Sequence, residues 1–504
     1  MTQMSMRNRR TLRHHPKYQQ SGLSGDKILF LIAFFILLIF VCSTTILHFM
    51  LPQHDDLKDD FLTRHHNINI HGNVENPHGS THDYGNIHNN IHNNADINAD
   101  VHADLNVDAE KLERLGKQRE RRRQKKAQDA ADTDREDPAH EAIYDTVRKL
   151  YDEQLPHDSP QDTQRLYDFV HQLRKPKHTL KTDLLANMPY DIDNCPEDPP
   201  PGYPMEWPIL DLLHNWNPND ISSKRHEIYQ GLCRFDHQTE LHKAENYRNA
   251  EVPFLINDDP AILKVVERWN QPNYMSQIMG DEVKYRTEYS KTNSLMFFRE
   301  RRGAKRPIDW NPPMSDVKLT YDEWVEKASQ PEEALQHDQP HWYFRVNAKG
   351  GTGHFMFKEL PFFLPNKNFY IVDAKDTRGI NCRFGMAGNT AAAHFDGSRN
   401  SIVLLGGERR YILSHPKNCQ NLALFPMDHP SARHTFLNWS DPDLEMYPEF
   451  KEGMANEVVL QAGDVLYLPT QWFHHIVSLD LNWQCNARSG ITKDYQSEIH
   501  KCGF

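Results

Sequence analysis

The distribution of apolar residues along the chain predicts a membrane helix near its start. Residues 28–51 form one long apolar run without Asp, Glu, Lys or Arg. Such a run is long enough for a helix to cross the roughly 30 Å hydrocarbon layer of a bilayer. We interpret it as a transmembrane helix; a cleaved signal peptide, whose apolar region is about half as long, is the alternative.

Apolar residues recur at helical spacing in two later segments, near 139–153 and 161–174. We interpret residues 139–190 as a helical neck, through which the chain could form a homo-oligomer. Residues 52–138, which precede the neck, carry too few apolar residues to build a core. Their first part is rich in His, Asn and Asp and their second part is dense in charge, so we predict a low-complexity and charged stalk.

From Cys195 onward, aromatic and β-branched residues become frequent, which indicates a folded body. Residues 191–335 have a mixed pattern that predicts long loops and helices at 206–215, 260–269 and 321–329. Residues 336–504 contain short apolar runs such as "NSIVLLGG", "ERRYILSHP" and "GDVLYLP". Such runs, bounded by "GGE" and "AGD", are typical of antiparallel strands joined by hairpins. The pattern predicts a mainly β fold with helical additions, a double-stranded β-helix (jelly-roll, cupin-type) barrel.

Charged residues on the two sides of the apolar run predict how it is oriented. Residues 1–27 contain six basic residues and one acidic residue, whereas "PQHDDLKDD" follows Leu51. The positive-inside rule therefore makes residues 1–27 a cytosolic basic tail and places everything after residue 51 in the lumen of the ER or Golgi or outside the cell. We expect a single-pass type II membrane protein with a signal anchor.

Composition is consistent with a soluble body on the far side of a membrane. The net charge of −12 argues against nucleic acid as the main partner. Six of the seven cysteines follow the apolar run, and an even number in an oxidising compartment suggests disulfides, although the sequence does not give their pairing. Free buried thiols remain the alternative. A single N-glycosylation sequon, "NWS" at Asn438, fits the same location.

The stretch "AAAHFDGSRN" places His394 and Asp396 two residues apart, so that on a strand both would project from one face. The stretch "GDVLYLPTQWFHHIV" offers a third polar ligand, His474 or His475. Two histidines and one carboxylate can occupy one face of an octahedral Fe(II) and leave three positions open. A His-x-Asp pair alone is weak evidence in a chain with 30 histidines, but the residues around it strengthen the hypothesis.

Residues from about 340 to 490 resemble the Jumonji C and cupin-like family of Fe(II)- and 2-oxoglutarate-dependent oxygenases, and within it the asparaginyl hydroxylase of hypoxia-inducible factor. The similar pieces are "GNTAAAHFDGSRNSIVLLGGERRYILSHP" and "GDVLYLPTQWFHHIVSL". The resemblance implies that His394, Asp396 and His474 are catalytic iron ligands, with 2-oxoglutarate and O₂ as co-substrates. It favours His474 over His475 because the family's distal ligand follows the strand-ending proline, here Pro469, by five residues.

The resemblance also implies where the co-substrate binds. Arg409 stands where the family has the lysine that binds the far carboxylate of 2-oxoglutarate, and an arginine can do so with two hydrogen bonds. Arg410 and Arg488 are rivals for this role. The family positions that hydrogen-bond the co-substrate correspond to Asn400, Asn486 and Tyr343.

One position departs from the family pattern. The family has a hydroxyl three residues before the first iron ligand, whereas this chain has Ala391, with Thr390 displaced by one residue.

Taken together, these patterns predict a membrane-anchored dioxygenase that hydroxylates or demethylates a lumenal or extracellular substrate. We expect a protein side chain of the secretory pathway as substrate, with a glycan or a small molecule as alternatives. Two other functions stay open: a catalytically inactive cupin-like binding module, and a Golgi-type glycosyltransferase using the Asp-x-Asp pair Asp441 and Asp443.

Overall fold

The computed structural model describes residues 138–155, 159–181, 187–299, 310–331, 335–348, 353–365 and 369–504, all within one compact unit. The predicted cytosolic tail, membrane span and stalk, apart from Pro138, lie outside these residues. No helix in the described ranges is long and apolar enough to cross a bilayer.

Short strands and helices alternate irregularly along the described chain. The strands are β1 (Thr179–Leu180), β2 (Trp207–Pro208), β3 (Glu227–Ile228), β4 (Arg234–Asp236), β5 (Phe254–Asn257), β6 (Tyr285–Ser290), β7 (Ser294–Leu295), β8 (Ser315–Leu319), β9 (His341–Ala348), β10 (Thr377–Gly385), β11 (Thr390–Phe395), β12 (Asn400–Gly406), β13 (Glu408–Ser414), β14 (Met454–Gln461), β15 (Val465–Leu468), β16 (Phe473–Ser478) and β17 (Asn482–Ser489). The α-helices are α1 (Pro138–Gln154), α2 (Pro160–Leu173), α3 (Ile209–Asn215), α4 (Leu241–Asn249), α5 (Pro260–Trp269), α6 (Tyr274–Met279), α7 (Tyr321–Ala328), α8 (Met356–Glu359) and α9 (Gln496–His500). Short 3₁₀ helices span Pro361–Phe363, Ala374–Asp376, Pro416–Asn421 and Pro448–Glu452. The helices predicted at 206–215, 260–269 and 321–329 are confirmed as α3, α5 and α7.

Two sheets form the centre of the fold. One has nine strands in the order β4-β5-β15-β12-β17-β10-β9-β6-β8, and the other has six in the order β2-β14-β13-β16-β11-β7. Strands β10 to β17 contribute four neighbouring strands to each sheet, which is the arrangement of a jelly roll. The predicted mainly β fold with helical additions is confirmed. The described residues form no closed barrel, because strands from residues 191–348 extend both sheets at their edges and leave them open.

Apolar side chains pack on both faces of the central strands. Leu404 of β12, Tyr411 of β13 and Leu466 of β15 meet in a cluster between the two sheets. On the opposite face of the nine-stranded sheet, Val403 and Leu405 belong to a larger cluster that includes helix α5. Strands buried on both faces read as continuous apolar runs, which explains why these segments were recognisable from the sequence.

The three disulfides join parts of the chain that are distant in sequence. They pair Cys195 with Cys233, Cys382 with Cys485 and Cys419 with Cys502. All six cysteines that follow the apolar run are therefore bonded, and the alternative of free buried thiols is wrong. The Cys382–Cys485 bridge joins opposed residues of β10 and β17, directly behind the inner face of the nine-stranded sheet.

Helices α1 and α2, predicted as part of a neck, pack against the domain that contains the sheets. Tyr144 of α1 and Leu166 and Val170 of α2 are 1% exposed and belong to the same core as α5. Arg174, which follows α2, donates to the carbonyl of Ala462 at 2.8 Å. An oligomer formed through these helices stays a prediction.

A buried carboxylate, Glu359, connects α1 to this core. Its Oε1 accepts hydrogen bonds from Arg268 at 3.0 Å and Trp269 at 3.1 Å, and its Oε2 accepts from Tyr144 at 2.8 Å. Arg148 and Tyr274 donate to the same carboxylate at 3.0 Å. Burial opposes ionisation of Glu359, but Arg268 and Arg148 outweigh it and lower the pKa of the carboxyl group.

We predict that Glu359→Gln lowers the free energy of unfolding by about 3 to 5 kcal/mol, because it leaves the Arg268 guanidinium buried without a counter-charge. The measurement is urea-induced unfolding with the disulfides intact. Glu449→Gln, at an exposed carboxylate, is the control and should change stability by less than about 0.5 kcal/mol. Equal effects of the two substitutions would show that the buried cluster adds nothing to stability.

Candidate metal centre

The pairing of β11 with β16 brings the three predicted metal ligands together. In this antiparallel pair His394 lies directly opposite His474, and their ring centroids are 4.3 Å apart. Asp396 is the first residue after the end of β11. One ligand atom from each of the three residues lies within 4.8 Å of the other two, so one ion could contact all of them.

Hydrogen bonds to the backbone orient both imidazoles. His394 Nδ1 lies 2.8 Å from the carbonyl oxygen of Ala392, and His474 Nδ1 lies 3.0 Å from that of Trp472. A carbonyl oxygen can only accept, so Nδ1 carries the proton in each ring and Nε2 keeps its lone pair. This arrangement is common among metal-binding histidines.

The carboxylate of Asp396 is held through one of its oxygens. Arg488 Nη2 donates to Oδ2 at 2.6 Å, and Asn400 Nδ2 donates to the same oxygen at 3.4 Å. Burial alone would raise the pKa of Asp396, but Arg488 and the two nearby imidazoles outweigh it and hold that pKa well below its usual range. The carboxylate is therefore ionised at neutral pH, and its Oδ2 also lies 3.9 Å from Nε2 of His474.

The protonation states of the three side chains suit a divalent cation. Burial lowers the pKa of His394 and of His474, so both rings are neutral at pH 7, which is the form that binds metal. Two neutral imidazoles and one carboxylate on a common face form the ligand set of non-haem Fe(II) sites with open positions. The residues present fit Fe(II).

His475 lies on the other face of β16. Its ring stacks on Trp439 with centroids 4.9 Å apart, and neither ring nitrogen has a hydrogen-bond partner among the described residues. Burial lowers the pKa of His475 to about 3. The alternation of side chains along the strand thus places His474, rather than its neighbour, with the other two ligands.

The predicted co-substrate residues lie in the space between the sheets. Asn486 donates to Asn400 at 2.8 Å, and Asn400 in turn contacts Asp396. Arg409 and Tyr343 lie against each other, with Nη1 of the arginine donating to the tyrosine oxygen at 3.0 Å.

Two residues considered in the sequence analysis lie elsewhere. Arg410 faces away from this space, donating to Glu457 at 2.5 Å and to the carbonyl of Trp216 at 2.7 Å. The Thr390 hydroxyl contacts Asn293 and the carbonyl of Gly388, each at 3.4 Å. Neither residue contacts the three predicted ligands.

Sequence reasoning missed two residues beside the site. The ring of His434, in the long connection between β13 and β14, stacks on His394 with centroids 4.7 Å apart. Arg383 of β10 donates to Asn486 at 2.8 Å. Alternation along β10 could have assigned Arg383 to the face opposite Cys382 and Phe384, whereas no local pattern brings His434 to His394.

Comparison with known proteins agrees with this arrangement. Residues 239–488 match the family described as a cupin-like domain. The chain is 26% identical over 134 residues to lysine-specific demethylase JMJ31 of Arabidopsis thaliana, an alignment that covers 25% of this chain and 24% of that protein. It is 36% identical over 85 residues to tRNA wybutosine-synthesizing protein 5 of Mus musculus, covering 17% of this chain and 25% of that protein. It is 31% identical over 111 residues to lysine-specific demethylase 8 of Xenopus tropicalis, covering 22% and 25% respectively.

The chain contains a cupin-like Jumonji C domain. The chain spans about a quarter of the length of these three relatives. The three gathered ligands and strands β10–β17, apart from Ser489 at the end of β17, lie inside the matched residues. The structural centre of the cupin-like domain and its candidate metal centre therefore coincide.

Separate substitution of the two adjacent histidines should distinguish the one that binds the metal from the one that packs against Trp439. We predict that His474→Gln weakens Fe(II) binding by about 100-fold or more, because loss of a ligand should cost at least as much as loss of its supporting contacts. His475→Phe keeps an aromatic ring against Trp439 and should change the affinity less than about threefold. The measurement is anaerobic competition for Fe(II) with a chromogenic chelator. Equal losses in the two variants would contradict the assignment of His474.

Proposed function

We propose that the cupin-like domain is an Fe(II)- and 2-oxoglutarate-dependent oxygenase. The observation that carries the proposal is the convergence of His394, Asp396 and His474 inside a domain of the Jumonji C type. Three protein ligands leave open positions on an octahedral metal, which a co-substrate and O₂ require.

The residues of the chain would serve to bind and to orient. His394 and His474 present Nε2 because their Nδ1 protons are held by backbone carbonyls. Arg488 fixes the carboxylate of Asp396, and Asn400 links it to Asn486. Fe(II) with 2-oxoglutarate and O₂ would supply the oxidation of a substrate C–H bond, giving a hydroxylated product, or a demethylated one where the carbon belongs to an N-methyl group.

We further propose a protein side chain of the secretory pathway as substrate, with the domain on the lumenal or extracellular side of a membrane. Three disulfides support an oxidising compartment, since disulfides are rare in the cytosol. The apolar run at 28–51 and the charges flanking it support a type II orientation. Two of the three relatives are named as lysine-specific demethylases, which supports a protein substrate, and the net charge of −12 disfavours tRNA.

A binding module without catalysis is the second candidate. Ala391 supports it, because no hydroxyl occupies the position where the resemblance places one, and the nearby Thr390 hydroxyl contacts other residues. The glycosyltransferase alternative has no such support. Asp441 and Asp443 lie in the connection between β13 and β14, where the Asp443 carboxylate accepts from the backbone of Met446 at 3.0 Å.

A ligand-binding measurement distinguishes the oxygenase from the binding module. We expect the purified full-length chain with Fe(II) and 2-oxoglutarate, kept without oxygen, to show a visible metal-to-ligand charge-transfer band. His394→Ala should abolish the band, because it removes one iron ligand, while His475→Phe should retain it. If the folded protein shows no band at high ligand concentration, the result would contradict the oxygenase proposal and favour the binding module.

The sequon at Asn438 allows a separate test of location. Asn438 is exposed, so in the secretory pathway we expect it to carry an N-linked glycan. In eukaryotic cells, glycosidase treatment should increase the electrophoretic mobility of the protein, and Asn438→Gln should remove this shift. Ser440→Thr keeps the sequon and should preserve it. No shift in the wild-type protein, together with six reactive thiols in the folded domain, would contradict a lumenal location.

A further inference from the structure

The space between the sheets contains more guanidinium groups than carboxylates. Arg383 of β10, Arg409 of β13 and Arg488 of β17 project into it, and of these three Arg488 pairs with the carboxylate of Asp396. 2-Oxoglutarate has a carboxylate at its far end, which needs a cation in such a desolvated place. The partners of the three arginines indicate which one is free to bind it.

Arg488 already has a counter-charge. Its Nη2 lies 2.6 Å from Asp396 Oδ2. If Arg488 turned to bind the carboxylate of 2-oxoglutarate, Asp396, a predicted metal ligand, would lose this contact. Its role is therefore to orient Asp396.

Arg409 is enclosed and its nitrogens are occupied. The residue is 0% exposed, and it donates to Gln484 Oε1 at 2.6 Å, to Asn482 Oδ1 and to the carbonyl of Arg383 at 3.3 Å, besides Tyr343. A Cβ at Gly385 would lie 3.0 Å from its Nη2, so the backbone of β10 also closes over the guanidinium. A carboxylate could reach Arg409 only by displacing one of these neutral acceptors.

The contacts of Arg409 indicate a structural role rather than ligand binding. It extends from β13 in the six-stranded sheet, while Asn482 and Gln484 belong to β17 in the nine-stranded sheet. Its hydrogen bonds therefore join the two sheets across the interior. This is a structural role that needs no ligand.

Of the three arginines, Arg383 remains available to bind the far carboxylate of 2-oxoglutarate. It is partly exposed, its side chain donates to the neutral amide oxygen of Asn486 at 2.8 Å, and it forms no ion pair with any residue in the described ranges. Its neighbours Cys382 and Phe384 point into the core on the opposite face of β10. Through Asn486 and Asn400, Arg383 is linked by hydrogen bonds to Asp396, so it lies beside the candidate metal centre.

We infer that Arg383, rather than Arg409, binds the far carboxylate of 2-oxoglutarate. The inference rests on the proposed oxygenase function. A guanidinium with free N–H groups can hold a carboxylate through two parallel hydrogen bonds, whereas the Arg409 nitrogens already serve protein acceptors. Asn486 positions the Arg383 side chain for this contact.

The test compares two acids that differ only at the far end. 2-Oxopentanoate has the chain length of 2-oxoglutarate but ends in a methyl group. Affinities of both acids for the full-length protein with Fe(II), without oxygen, come from the charge-transfer band. We expect the wild-type protein to prefer 2-oxoglutarate by about 10- to 100-fold, which is the effect of a charge-assisted hydrogen-bonded pair.

Arg383→Gln should reduce this preference to about threefold or less and leave the affinity for 2-oxopentanoate unchanged. Arg383→Lys keeps the charge without the second hydrogen bond and should give an intermediate preference; it also serves if the glutamine variant does not fold. Arg409→Gln, the matched neutral substitution, should lower thermal stability while preserving the preference.

Three outcomes overturn the inference. One is an unchanged preference in the Arg383 variants. Another is a preference lost in folded Arg409→Gln and retained in Arg383→Gln, which would return the role to Arg409. Both leave the oxygenase proposal intact, because the band itself is present. The absence of a band from the wild-type protein with either acid would overturn both proposals together.

Discussion

The antiparallel pairing of β11 with β16 is the interaction on which the candidate site depends. It sets His394 opposite His474, although 79 residues separate them in the chain. A shift of one residue in this register would turn His474 away and bring His475 forward. The register is held by burial, since Phe395 and Phe473, the next opposed pair, pack into the apolar cluster outside the six-stranded sheet.

Burial determines the hydrogen bonding and the protonation states of the polar groups between the sheets. Arg409 and Asp396 are removed from water, where an unpaired polar atom would cost several kcal/mol, and hydrogen-bonded partners surround each of them. Arg488 keeps Asp396 ionised, and burial keeps both imidazoles neutral, which a divalent metal requires. The network that stabilises the fold thus also prepares the ligands.

The N-terminal helices and the disulfides extend the folded unit beyond the jelly roll. The Glu359 cluster ties α1 to α5, and the Cys419–Cys502 bridge ties the end of the chain to the connection between β13 and β14. That connection also supplies His434, whose ring covers His394. Segments outside the eight central strands therefore help to form the site and its surroundings.

Some features follow from the sequence because their physical causes are local. The spacing of two residues between His394 and Asp396 matches the period of a strand, and apolar runs interrupted by glycine turns gave a mainly β fold. The charge difference across the apolar run predicts an orientation, but both lie outside the described residues and that prediction remains untested.

Other features were decided by tertiary structure. They depend on which distant parts of the chain lie side by side. They include the disulfide pairing, the open edges of the two sheets and the contact of His434 with His394. The different partners of Arg383, Arg409 and Arg488 belong to the same group. Sequence identified arginines that could bind a carboxylate, but only the fold shows which of them already have partners. Local periodicity fixes which face of a strand a side chain occupies, whereas long-range pairing fixes what it meets there.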